Sequence, residues 1–271
     1  MSGCIGVIME GARREPGIWK NIVSVFFHKK DVRIIVLPAQ MNIYMLWKQM
    51  VMDQFETDTI ELVRNVSDDV KTNLDGLTRD DFQEIYLFFD LDPQQQNLGH
   101  EDRLNATGVL SEMIKVFNNE TENGKLYISY PMSEALRDYR KGSCRAFTDC
   151  YYPLSKISSY KRDSGDGNEN SDIRKYTRDR WDDIVASYLC RCSCLLRGHI
   201  DRDELRKWFY ETVDVEALFE MQQRVISEKH SIFVLSAFPE FLLEYFKREY
   251  WDSLEQKLEE VTNVDCQYES V

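Results

Sequence analysis

The sequence lacks any run approaching the roughly 18 consecutive apolar residues of a membrane span. Its first residues, MSGCIGVIMEGARR, are apolar for too short a distance to serve as a secretory leader, and their positive charges follow the apolar part instead of preceding it. A soluble, cytoplasmic protein with no membrane partner is the expectation. There is no GxxxxGK[ST] phosphate loop, so ATP hydrolysis through such a loop is not expected of this chain. There is no CxxC pair either. The seven cysteines are an odd number, and Cys190, Cys192 and Cys194 stand two residues apart, a spacing that points side chains away from one another on a helix. Reduced, buried thiols fit that spacing better than a zinc knuckle. No internal repeat is evident. Positive charge is also scarce. Lys and Arg number 34 against 47 Asp and Glu, a formal net charge of −13, which argues against general coating of nucleic acid.

That charge is uneven. Asp53 to Asp92 holds twelve acids and three bases, whereas Leu136 to Arg162 holds seven bases and two acids. With 43% hydrophobic and 12% aromatic residues, the 271-residue chain can bury a substantial core.

The most informative stretch is Glu84–Pro93, EIYLFFDLDP. Ile85 to Phe89 is a continuous apolar run of the kind a fully buried strand shows. It leads into Asp90 and Asp92, two carboxylates that face the same side if the extended geometry continues. At the carboxyl end of a parallel strand they lie where open α/β sheets bind ligands, and their hard oxygens suit magnesium or manganese.

Other strands are expected at Cys4–Met9, Arg33–Leu37 and Lys125–Tyr130. Helices are expected over Gly17–His28 behind Pro16, over Ile43–Phe55 behind an Asn42 cap, over about Arg103–Phe117, and over a short segment from Ser133 to Tyr139. Within Ile43–Phe55, Tyr44, Leu46, Trp47, Met50 and Val51 form the expected apolar side. The acidic segment up to Asp81 is expected to hold a further helix or two. The alternation of strand and helix implies an α/β fold with a mostly parallel sheet flanked by helices over residues 1–140. Residues 141–271 read as a mainly helical subdomain packed on that core. Its helices are expected over Ile173–Leu196, over Arg202–His230 with one interruption, and over Glu240 to about Val261, with a short strand at 232–235 returning to the sheet. Lys161–Asp172 is loop-like.

Glu10 ends the first strand, and Asp90 and Asp92 end the third. If these strands lie close, three acids converge, and a divalent cation would relieve their mutual repulsion. Glu15 begins the following helix and can turn back towards the same place, or simply favour the helix N-terminus. Glu134 stands just after the fourth strand, either as a further acid at the same edge or as a first-turn carboxylate. The basic stretch interleaves Arg137, Arg140, Lys141, Arg145 and Lys156 with tyrosines, a composition suited to phosphates and unpaired bases, or to a solvated face with core aromatics.

Strand–Glu-Gly–helix followed by strand–Asp-x-Asp resembles the Toprim fold of topoisomerases, primases and several bacterial nucleases. Glu10-Gly11-Ala12-Arg13-Arg14-Glu15-Pro16 is similar to the EGxxTEP signature of RloB-like Toprim proteins and, more loosely, to that of the overcoming-lysogenisation-defect nucleases, with Arg14 where the signature has Thr. The resemblance covers roughly residues 1–140. It implies a magnesium- or manganese-dependent endonuclease cutting DNA or RNA, tRNA included. Glu10 would be general acid or base or a metal ligand, and Asp90, Asp92 and Glu134 would be metal ligands. Glu15 would assist with a second ion. It further implies antiviral defence, with any ATPase on a partner chain. A degenerate Toprim module that binds nucleic acid or a partner, and a DxD glycosyltransferase, remain open. The glycosyltransferase gives no account of Glu10-Gly11. The matched residues handle metal and phosphate, so they do not distinguish DNA from RNA.

Overall fold

β1 (Cys4–Met9) is buried along its whole length, and that is why its sequence is apolar without alternation. β2 (Arg33–Pro38) and β3 (Phe82–Asp90) pair with it on either side, both in parallel. β4 (Asn118–Asn119) and β5 (Gly124–Ser129) pair antiparallel and complete a sheet of order β2-β1-β3-β5-β4. The fold is thus α/β with a mostly parallel five-stranded sheet flanked by helices, as expected. The computed structural model describes residues 3–28, 30–91, 106–139, 150–165, 171–198 and 204–265. By internal contacts the chain divides into two compact units, Met1–Ile128 and Ser129–Val271; the sequence-based boundary lies at 140.

In the first unit, β1 leads into α1 (Arg14–Ile22), which continues as a π-helical turn, Val23–Phe27. The helix starts three residues before the expected Gly17. Pro16 is its third residue, where a missing N–H costs nothing. Ile18, Trp19 and Ile22 are buried, and the Trp19 ring meets Phe88 of β3 edge-on at 5.2 Å. α2 (Ile43–Met52) begins at Asn42, whose side chain accepts from the Met45 N–H at 3.0 Å. The acidic segment forms α3 (Thr59–Arg64) and α4 (Asp68–Asn73), capped by Asp58 and Ser67. Several acids thus fall at helix N-termini, where the backbone partial charge favours them. α5 (Ala106–Val116) precedes β4. Gly124 opens β5 at φ +112°, and a Cβ there would overlap the Leu87 side chain, so glycine meets both a conformational and a spatial demand.

The second unit is mainly helical. Ser133–Asp138 is a 3₁₀ helix with Met132 in the capping position, so Ser133 does not cap an α-helix. Then come β6 (Tyr151–Pro153), α6 (Tyr160–Asp163) and α7 (Arg178–Arg197). α7 starts five residues after the expected Ile173, because Thr177 caps it by accepting from the Arg180 N–H at 3.2 Å. The helical stretch expected over 202–230 is interrupted once, giving α8 (Leu205–Thr212) and α9 (Val215–Lys229), the latter capped by Asp214. β7 (Ser231–Phe233) pairs antiparallel with β6 in a separate two-stranded sheet and not with the central one; Leu235 forms an isolated bridge with Tyr130. α10 (Ala237–Asp265) packs along α7 and is kinked at Lys247, φ 43°.

Replacing Asn42 by Ala removes the cap of α2 and should lower stability by about 1 kcal/mol. Urea unfolding checks this, and a change below the measurement error would show that the cap bond contributes nothing.

Candidate functional site at the carboxyl edge of the sheet

The register places Met9 opposite Phe88, and the ladder runs one step further, the Glu10 N–H donating to the Phe88 carbonyl at 3.3 Å. Glu10 therefore leaves β1 beside the end of β3. Its carboxylate turns towards that end, and Oε2 accepts from the Asp90 N–H at 3.4 Å. Both acids are half-buried. The parallel pairing, and not any feature local to either residue, brings the Glu10 carboxylate to the backbone of an aspartate 80 positions away.

Glu15, the second residue of α1, is only 8% exposed. Its carboxylate folds back over Gly11, and a Cβ built on Gly11 would overlap it. Gly11 is required here for space, not for its backbone angle. The spacing of five residues that suggested a return towards Glu10 corresponds to this fold-back onto the neighbouring residue.

Asp92, the second acid of the DxD, lies outside the described residues, as do Arg140, Lys141 and Arg145. Among the described residues no three His, Cys, Asp or Glu side chains form a group that could hold a metal ion. Glu10 and Asp90 fit such an ion by donor type, since hard carboxylate oxygens at a strand end are what magnesium and manganese take.

Glu134 belongs to the second unit. It is 2% exposed; Ser133 Oγ donates to its Oε2 at 3.4 Å, and the Lys161 ammonium lies 3.5 Å from its Oε1. A lysine thus balances the charge that the sequence reading assigned to a metal. Arg137 is half-buried and donates to the Lys161 carbonyl at 3.4 Å, which ties the 3₁₀ helix to α6. Lys156 is exposed. Arg162 pairs with Asp163 at 3.0 Å. The described part of the basic stretch is therefore largely engaged with its own acids and carbonyls. Cys190, Cys192 and Cys194 are buried on α7 and form no disulfide with one another. Burial pushes the Cys192 thiol well up, away from the thiolate a metal needs.

The sequence reading did not single out Arg191, which is 1% exposed. Its guanidinium donates to the carbonyls of Val234 at 3.0 Å and Asp138 at 2.9 Å, and it covers the Tyr139 ring at 4.6 Å. An arginine flanked by cysteines, the one charge in the run Ile184–Leu196, was the available signal. The role is structural.

No family model, no curated protein and no solved structure matches this chain.

Two glycines, 11 and 17, should respond oppositely to alanine. At Gly11 the added methyl must displace the Glu15 carboxylate, an overpacking cost of about 1–3 kcal/mol. Gly17 lies within α1 with nothing within 4 Å of a new Cβ, so alanine there should stabilise by about 0.5–1 kcal/mol. Thermal melts of both variants test the placement of Glu15; a neutral Gly11→Ala would contradict it.

Proposed function

We propose that the chain is a metal-dependent nuclease that hydrolyses phosphodiester bonds in DNA or RNA. The observation that carries this reading is the convergence of Glu10 and Asp90 at the carboxyl ends of adjacent parallel strands, joined by the 3.4 Å contact from the Asp90 N–H to Glu10 Oε2. Crevices at this edge are the usual ligand sites of open α/β sheets. Acidic residues that leave adjacent strands at one sheet edge repel one another unless a cation or a proton offsets them.

In this reading Glu10, Asp90 and Asp92 hold magnesium or manganese, which supplies charge to the scissile phosphate and lowers the pKa of a bound water. The chain's own residues orient that chemistry. The Asp90 amide fixes the direction of the Glu10 carboxylate, and Glu10 is the group placed to accept or deliver a proton. Glu15, whose carboxylate lies over Gly11, the residue after Glu10, would assist with a second ion. The Toprim-like motif order extends the reading to an antiviral effector, with any ATP hydrolysis on a partner chain because this one lacks a phosphate loop.

The test is cleavage of duplex DNA, single-stranded DNA and total tRNA by the purified chain with magnesium, manganese or EDTA. Cutting should require the metal, and Glu10→Gln should slow it by about 100-fold or more with an unchanged melting curve. Asp90→Asn should also weaken manganese binding in a direct titration. Nucleic-acid binding without cleavage under every condition, unaltered in both variants, would replace this reading with a binding module.

A further inference from the structure

Large exposed apolar side chains are rare among the described residues, and they are concentrated. Four of five stand on or just after α2: Met45 at 42% exposure, Val51 at 48%, Met52 at 75% and Phe55 at 46%. Helical spacing puts Met45 and Met52 one above the other on the outer face, with Val51 to the side. The turn that ends the helix adds Phe55.

That turn is built in an unusual way. Gln54 and Phe55 have φ of 54° and 60°, the left-handed region that non-glycine residues enter uncommonly and bulky ones least of all. The chain closes on itself there, with the Gln54 N–H donating to the Val51 carbonyl at 3.1 Å and the Phe55 N–H to the Met50 carbonyl at 2.9 Å. The Phe55 ring stands edge-on to Trp47 at 5.4 Å. The aromatic is therefore held in place at the surface. A strained backbone that keeps a large ring half exposed does not improve burial, and strain of this kind gathers at functional positions.

Charge narrows the occupant. From Met41 to Asp81 the chain carries nine acids and four bases, a net of five negative charges. Glu56 is exposed directly after Phe55, and α3, which packs against α2, carries Asp58 at its cap and Glu61 in its first turn. Lys48 is an exposed cation on the α2 face itself. Nucleic acid and anionic membranes are repelled by such a surface, and so is a second copy of the same acidic unit. A partner helix with an apolar stripe and lysine or arginine flanks satisfies both the patch and its surroundings. Methionine-rich faces suit that role because the unbranched thioether side chains repack around different partners. We infer that the outer face of α2, with the Phe55 turn, is a docking surface for a basic amphipathic helix of a protein partner. This inference is independent of the carboxylate site.

The probe is a synthetic amphipathic helix of about five turns built from leucine and lysine, beside the same peptide with glutamate for lysine. Fluorescence anisotropy with the full chain reads binding. The cationic peptide should bind and the acidic one should not. Raising salt from about 50 to about 300 mM should weaken the complex, since the charged flanks are exposed. The Met52→Ser, Phe55→Ser double variant should bind at least about tenfold more weakly. Met45→Ser with Val51→Ser, which leaves the strained turn intact, is the second variant and should show the same loss. Equal binding by wild type and both variants overturns the proposal, as does no binding at all. Patch-dependent binding to phosphatidylserine vesicles, or sedimentation showing a dimer that the variants dissociate, also overturns it.

Discussion

The parallel pairing of β1 with β3 is the constraint on which the first unit depends. It needs two strands that are apolar on both faces, because each lies inside a sheet covered by helices. Cys4–Met9 and the buried stretch Ile85–Phe89 meet that requirement. Once the register is set, with Ile8 opposite Leu87 and Met9 opposite Phe88, there is no further freedom in where Glu10 and Asp90 emerge. A slip of one residue would turn every apolar side chain of β1 to the other face. The core thus fixes the polar edge. α1 adds to this, since Trp19 against Phe88 anchors the helix whose first turn carries Glu15.

The second unit is organised by a polar contact inside an apolar shell. Arg191 spans from α7 to the carbonyls of Asp138 and Val234, and Tyr139 beneath it receives the Ser236 N–H at 2.9 Å. Burial raises the Tyr139 phenol, so it stays neutral. These bonds satisfy backbone groups at the ends of irregular segments, which have no ladder of their own. A buried guanidinium needs such partners, because without them it would leave an uncompensated charge in the core. The arrangement joins three segments distant in sequence, and an apolar residue of similar volume at position 191 would leave both carbonyls without their donor.

Much of this was legible in the sequence, for physical reasons. Continuous apolar runs bounded by polar residues marked β1, β2 and β3, and Asn42 marked the start of α2. Other features left no such mark. β4 and β6, with two and three residues, are too short for a periodicity to develop. The kink at Lys247 occurs without proline or glycine. Ser133 has the chemistry of a cap, but the segment winds as a 3₁₀ helix and its hydroxyl turns to Glu134 instead. Val51 was assigned to the inner side of α2 because apolar spacing alone does not distinguish a buried stripe from a wide one that continues onto the surface. The fold-back of Glu15 was legible as a possibility. Its realisation depends on Gly11 being small enough to let the carboxylate approach, a spatial fact that spacing does not encode.

Charge finally links the proposed chemistry to the rest of the molecule. In the proposed reaction a nucleic acid would approach the carboxylate edge of an acidic first unit; within the second unit Lys161 faces Glu134 and Arg162 pairs with Asp163. Counterion release, the usual driving force for binding nucleic acid, scales with the number of phosphates a protein neutralises with free lysine and arginine. If the chain acts on nucleic acid as proposed, few such contacts would give substrate binding a shallow dependence on monovalent salt. The attraction for phosphate is then concentrated at Glu10 and Asp90 through the divalent ion they hold in the proposed reaction. Under that reading the metal requirement extends to substrate binding as well as to the chemical step. In the inference drawn for α2, the net acidity of Met41–Asp81 is what disfavours nucleic acid there and favours a basic protein partner.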